Sequence, residues 1–156
     1  MSAASAAAKS GARVILVDNE PSLGGYLRTD LQQYPPLPNM PAMTGYEIAD
    51  HLKTGILSND KTEVLSNASA FGYYEGNLIA VSNENGITKI RAQHIIFATG
   101  SYEIPLAFDR NNLPGVMLST GAQRLASLYG LNLGSTVMVI TTGDQGYTCL
   151  LYTSDA

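Results

Sequence analysis

Apolar residues fall along this chain in two rhythms. Ile48, Leu52 and Ile56 recur every four residues and predict a helix with one apolar face. That helix follows Thr44-Gly-Tyr-Glu47, which has the capping-box spacing, and is expected to run to about Leu57. Elsewhere the apolar positions form unbroken runs: Arg13-Val-Ile-Leu-Val-Asp18, His94-Ile-Ile-Phe-Ala98 and Thr136-Val-Met-Val-Ile-Thr-Thr142. Runs of this kind predict strands buried on both faces, as in the central parallel sheet of an α/β protein.

Other segments complete the pattern. Met1 to Lys9 is rich in Ala and Ser and reads as a helix, with Gly11 placed as its C-cap glycine. Pro35-Pro-Leu-Pro-Asn-Met-Pro41 excludes a helix interior or a central strand and reads as an exposed loop. Val64-Leu65 leads into the sheet. Ala68–Tyr74, Leu78–Val81 and Thr88–Arg91 are short extended runs separated by Glu75-Gly76-Asn77 and Asn83-Glu-Asn-Gly86, which predicts a β-meander within about residues 62–93. Tyr102 to Phe108 reads as an extended crossover and Asn111-Asn-Leu-Pro-Gly115 as a turn. Ser119 or Thr120 is expected to cap a helix from about Gly121 to Tyr129, ended by Gly130.

Candidate chemistry gathers at the carboxyl ends of the predicted strands, where open α/β sheets bind ligands. Asp18 ends the first apolar run. A carboxylate there can accept hydrogen bonds from the adenosine ribose hydroxyls of NAD or FAD, and it would repel a 2′-phosphate, which disfavours NADP. Gly24 and Gly25 follow in a short loop and permit close backbone approach. Ala98, Thr99 and Gly100 end the second run and would line the same dinucleotide. One piece expected of such a site is the G-x-G-x-x-G turn that cradles pyrophosphate between a first strand and its helix. The chain begins inside that helix, which predicts a truncated chain. A second turn, Gly143-Asp-Gln-Gly146, departs from that pattern.

Composition narrows the picture. Charged residues are 14% and hydrophobic residues 45% of the 156, a balance that indicates a globular chain rather than a disordered one. A net charge of −4 and a single cysteine, Cys149, argue against a nucleic-acid footprint and exclude an internal disulfide or a C-x-x-C redox pair. His51 and His94 belong to no metal-ligand cluster and read as structural. No secretory signal and no apolar run long enough to span a bilayer is seen, so a cytoplasmic location is expected. No side chain stands out as a general acid, base or nucleophile.

The residues also carry a family resemblance. Ser2 to Asp18 resembles the first βαβ unit of flavoproteins with two dinucleotide-binding domains, the pyridine nucleotide-disulfide oxidoreductase superfamily. Phe71-Gly-Tyr-Tyr-Glu-Gly-Asn-Leu78, Ala98-Thr-Gly-Ser-Tyr-Glu-Ile-Pro105, Asn111-Asn-Leu-Pro-Gly-Val-Met-Leu118 and Gly121-Ala-Gln-Arg124 with Leu128-Tyr-Gly130 resemble the α subunit of heterotetrameric sarcosine oxidase. The resemblance covers roughly Ser2 to Tyr147. It implies an α/β fold: a partial Rossmann-like dinucleotide-binding (FAD/NAD(P)-binding) domain over 1–118 with an antiparallel β-meander, then the beginning of a second nucleotide-binding domain over 119–147. It implies that the backbone near Asn67-Ala-Ser-Ala70 lies close to the adenine, with Ser69 and Ala70 as the residues carried over. The parent it implies is an oxidoreductase subunit that holds NAD or FAD and works with a flavin-carrying partner subunit on a small secondary amine. The alternatives are a self-contained flavin-dependent NAD(P)H reductase and a non-catalytic nucleotide-binding scaffold subunit. Residues 148–156, ending in Cys149-Leu-Leu-Tyr-Thr-Ser-Asp-Ala156, do not continue the resemblance and read as a non-native, adapter-derived tail; a divergent native tail is the other reading.

Overall fold

The computed structural model describes residues 1–36, 40–143 and 146. The chain divides into two compact units, one of Met1–Arg28 with Tyr46–Thr99, the other of Thr29–Gly45 with the chain from Gly100 onward.

The first unit opens with α1, Ser2–Lys9, an alanine-rich helix with Lys9 in its last turn, where a cation suits the helix dipole. Ser10 caps it, and Gly11 (φ 95°) then reverses the chain, its N–H donating to Ala8 O at 3.0 Å. The β-branched run Val14–Val17 forms β1. It pairs in parallel with β4, Thr62–Leu65, in the register Val14 to Thr62 through Val17 to Leu65. Parallel neighbours need a long connection. Here it includes α2, Gly45–Leu57, whose Ile48 and Ile56 are buried as the four-residue spacing requires. Ala4 of α1, Leu23 and Ile56 form the core, with Met1, Val14, Leu16 and Val64 packed against them. Val14 and Leu16 lie two apart and share a strand face; Ile15, on the other face, is 37% exposed. Burying one such side chain stabilises by about 1.5–3 kcal/mol.

The meander is present as three antiparallel strands, β5 (Ser69–Tyr74), β6 (Leu78–Asn83) and β7 (Gly86–Arg91). The β5 register shifts between Ala70 and Gly72, a bulge at Phe71. The Tyr74 ring covers Gly72 so closely that a Cβ there would stand 2.6 Å from a ring carbon.

Two predicted strands are not formed. His94–Ala98 adopts no regular element and is largely exposed, with Ile96 at 70% and Phe97 at 65%. Thr136–Thr142 is likewise irregular, with Met138 and Ile140 exposed. Among the described residues neither run has a partner strand. An extended backbone without one leaves its N–H and C=O groups to water, so apolarity alone does not bury it.

In the second unit, β2 (Gln33–Tyr34) and β3 (Met43–Thr44) form a small antiparallel pair flanking the proline-rich loop. This pair was not expected, because two-residue strands carry no periodicity. Of the loop, Leu37, Pro38 and Asn39 lie outside the described residues. Asp30 is 1% exposed and accepts hydrogen bonds from Tyr34 Oη at 2.6 Å and Gln32 N at 2.9 Å. Gly45 is needed beside it, since a Cβ would lie 2.7 Å from Asp30 O. α3 spans Ser119–Tyr129 and ends at Gly130 in the left-handed conformation (φ 62°, ψ 27°), as expected. Ser127 Oγ donates to Thr29 O at 2.9 Å.

Candidate functional site

The carboxyl ends of β1 and β4 lie side by side, and the backbone ties them together. Asp18 N donates to Leu65 O at 2.9 Å, extending the ladder by one residue. Ala68 N then donates to Asp18 O at 3.0 Å, and Asn67 N to Glu20 O at 3.1 Å. Asn67 adopts φ 50°, a left-handed turn that asparagine tolerates, and this turn aims both N–H groups back at the loop after β1. The Asp18 side chain is half-buried, and its Oδ1 accepts the Glu20 N–H at 3.0 Å. Among the described residues its Oδ2 takes no hydrogen bond. Lys53 of α2 donates to Ser22 Oγ at 3.1 Å and holds the far side of the loop.

The paired glycines play different parts. At Gly24 (φ 134°) a Cβ would meet Arg28 Cγ at 2.7 Å and Ala49 Cβ at 3.0 Å, so its space is taken by the protein's own loop and α2. At Gly25 (φ 53°) nothing lies within 4 Å. Gly25 therefore presents bare backbone to open space, which a ligand could approach.

The structure thus brings Asp18 beside the entry to β5, where Ser69 and Ala70 are exposed, and packs the Gly24–Gly25 loop on α2. Ala98 and Thr99 are exposed, and among the described residues no hydrogen bond joins residues 94–99 to that end. Gly100 (φ 74°) has open space on its Cβ side. Asp144 and Gln145 of the second glycine turn, and the tail from Tyr147, lie outside the described residues.

Two structural roles were missed from the sequence. Asn67 supplies the left-handed turn described above. Glu103, in the second unit, caps α3 from a distance: it accepts hydrogen bonds from Ser119 Oγ, from Thr120 N at 2.8 Å and from Thr120 Oγ1 at 2.6 Å. The expected Ser119 or Thr120 cap is therefore replaced: Leu118 is the N-cap residue and makes no side-chain cap bond. Burial alone would raise the Glu103 carboxyl, but the hydrogen bonds from Ser119 and Thr120 outweigh it and hold the carboxyl below the usual glutamate range. The positive end of α3 is thereby occupied by a carboxylate of the same chain.

A shallow depression of about 390 Å³ lies at the opposite, amino end of the β1–β4 pair, lined by Gly11, Arg13, Asp60, Lys61, Thr62 and Glu63. Its charged side chains are exposed, Arg13 pairs with Glu63 at 3.2 Å, Lys61 donates to Gly11 O, and the buried Thr62 hydroxyl takes no partner among the described residues. It is open to solvent and stands at the wrong end of parallel strands for a nucleotide.

No family model matches the chain. It is 28% identical over 162 residues to the sarcosine oxidase subunit alpha of Corynebacterium sp. (strain U-96), which covers 94% of this chain and 16% of that protein. It is 32% identical to the sarcosine oxidase subunit alpha of Rhizobium meliloti (strain 1021), over 95% of this chain and again 16% of the relative. The chain is similar to sarcosine oxidase α subunits along almost its whole length. It spans about a sixth of the length of those curated relatives. The crystal structure of L-proline dehydrogenase from P. horikoshii superposes with a TM-score of 0.76, at 20% identity, over 95% of this chain and 31% of that one. The resemblance drawn from the sequence therefore stands, and the α/β architecture with its antiparallel meander is shared with a solved dehydrogenase. Among the described residues no helix is long and apolar enough to cross a membrane.

Proposed function

We propose that this chain is the dinucleotide-binding part of an oxidoreductase subunit of the sarcosine oxidase α type, a partial Rossmann-like domain. The carboxyl end of β1 takes the adenosine half of NAD or FAD. The observation that carries this reading is the Asp18 carboxylate, half-buried at the end of a parallel strand, with one oxygen committed to the Glu20 N–H and the other left to a ligand. The residues fit such a group. Asp18 would accept the ribose hydroxyls. Gly25 would let the pyrophosphate side of the ligand pass close to the backbone. Ser69 and Ala70 would flank the adenine, with Ala98, Thr99 and Gly100 lining the remainder. Gly24 holds the loop against α2. The bound dinucleotide supplies hydride or electron transfer, and this chain's residues supply binding and orientation. On this reading the parent subunit works with a flavin-carrying partner subunit on a small secondary amine, a reading that the similarity to sarcosine oxidase α subunits supports.

Asp18→Ala in the full-length protein is expected to weaken NAD or FAD binding by about 1–3 kcal/mol, the scale for losing a charged hydrogen-bond partner. Unchanged affinity in equilibrium titration removes Asp18 from the site. No G-x-G-x-x-G turn precedes α1 within these 156 residues, so the chain by itself is expected to bind the dinucleotide more weakly than micromolar, as calorimetry would show.

A further inference from the structure

The run that carries Ala98 and Thr99 leaves the meander with little to hold it. Among the described residues no hydrogen bond reaches residues 94–99. What fixes its departure is a cluster at the β5–β6 turn. Asn77 sits there at φ 53°. Its Nδ2 donates to Gln93 O at 2.9 Å, its backbone O accepts from Ala92 N at 3.1 Å, and its Oδ1 accepts from Tyr73 Oη at 3.1 Å. The Tyr73 ring in turn meets Phe97 edge-on, with centroids 5.8 Å apart and planes at 85°. Arg91 Nη1 donates to Gly76 O at 3.2 Å and braces the same turn.

We infer that Asn77, with Tyr73, is a positioning residue: it latches the exit of the meander at Gln93 and Phe97 and so sets where Ala98 and Thr99 stand for the dinucleotide. Two of its three hydrogen bonds go to the exit segment, and the third holds the ring that touches Phe97. A turn asparagine chosen for conformation alone would need none of the side-chain bonds, since glycine also adopts φ 53°. The inference rests on the dinucleotide reading proposed above.

Asn77→Gly in the full-length protein keeps the turn and removes the amide. It is expected to leave the unfolding transition nearly in place, to speed chymotryptic cleavage after Phe97 several-fold, and to weaken dinucleotide binding roughly 3- to 10-fold, the scale of one or two lost hydrogen bonds. Tyr73→Phe should weaken binding less. Asn77→Gly and Phe97→Ala should be non-additive in Kd, because both act through one segment. A structural role alone would lower the unfolding temperature and leave the Kd of the folded protein untouched. Wild-type Kd in Asn77→Gly, with Asp18→Ala impaired, overturns the latch. Unchanged cleavage after Phe97 also overturns it, and does so independently of any nucleotide. Wild-type Kd in Asp18→Ala together with faster cleavage in Asn77→Gly would instead sink the dinucleotide reading at Asp18 and leave the latch standing.

Discussion

Val14–Val17 and His94–Ala98 are nearly the same kind of sequence, short and apolar with β-branched residues, yet they end in opposite states. The first is β1, paired with β4 and packed through Val14 and Leu16 on the core. The second is unpaired and presents Ile96 and Phe97 to solvent. Hydrophobicity states what a segment gains by burial; a partner for its backbone decides whether burial occurs. β1 finds its partner across α2 within the same unit. Among the described residues His94–Ala98 finds none.

The sharpest test of that contrast makes the same Ile-to-Ala change in the core on which β1 packs and in the 94–98 run of the 156-residue chain. Ile56→Ala, at a core position 1% exposed, should cost about 2–5 kcal/mol in urea unfolding. Ile96→Ala should change stability by no more than about 0.5 kcal/mol, as at an ordinary surface site. Comparable losses at both positions would show that the 94–98 run is covered in solution and would erase the contrast. The paired glycines repeat the comparison over two adjacent residues. Gly24→Ala meets Arg28 and Ala49 at positive φ and should destabilise by about 1–3 kcal/mol. Gly25→Ala has open space and should cost about 1–2 kcal/mol, from its left-handed φ alone. On the dinucleotide reading, Gly25→Ala also loses affinity in proportion greater than its loss of stability, whereas Gly24→Ala does not. Parallel melting and titration of both variants would tell.

The smallest expected effect is in the second unit. The carboxyl of Glu103 is held below its ordinary value, so its contribution is fully present above the unfolded-state pKa and is lost as pH falls through the folded one. Stability should therefore drop from about pH 5 downward by no more than about 1 kcal/mol from this group, the worth of a helix cap. Glu103→Gln should remove that part of the pH dependence. A variant with an unaltered acid limb in its urea midpoints would mean that the cap contributes nothing.

Much of the fold was legible before the structure. The boundaries of α1, α2 and the meander, and the terminal glycines Gly11 and Gly130, followed from periodicity and turn chemistry, which act between residues a few positions apart. The position of Asp18 at the end of β1 was legible as well, because a carboxylate ending an apolar run is a local feature. The failures were non-local. The Glu103 cap joins residues 16 positions apart, so the Ser119 or Thr120 rule picked the wrong group. The β2–β3 pair is too short for any period to reveal.

By itself, then, the sequence determined which segments are helical, where the meander turns, and which carboxylate ends the first strand, because these depend on local sterics and spacing. Tertiary structure alone decided that Gly24 and Gly25 differ, that Asn67 folds back on the loop after β1, that Asn77 grips the exit of the meander, and that two of the three apolar runs find no partner strand among the described residues. Each of these depends on atoms brought together from distant positions, and a pattern along the chain carries no record of what will stand across from it.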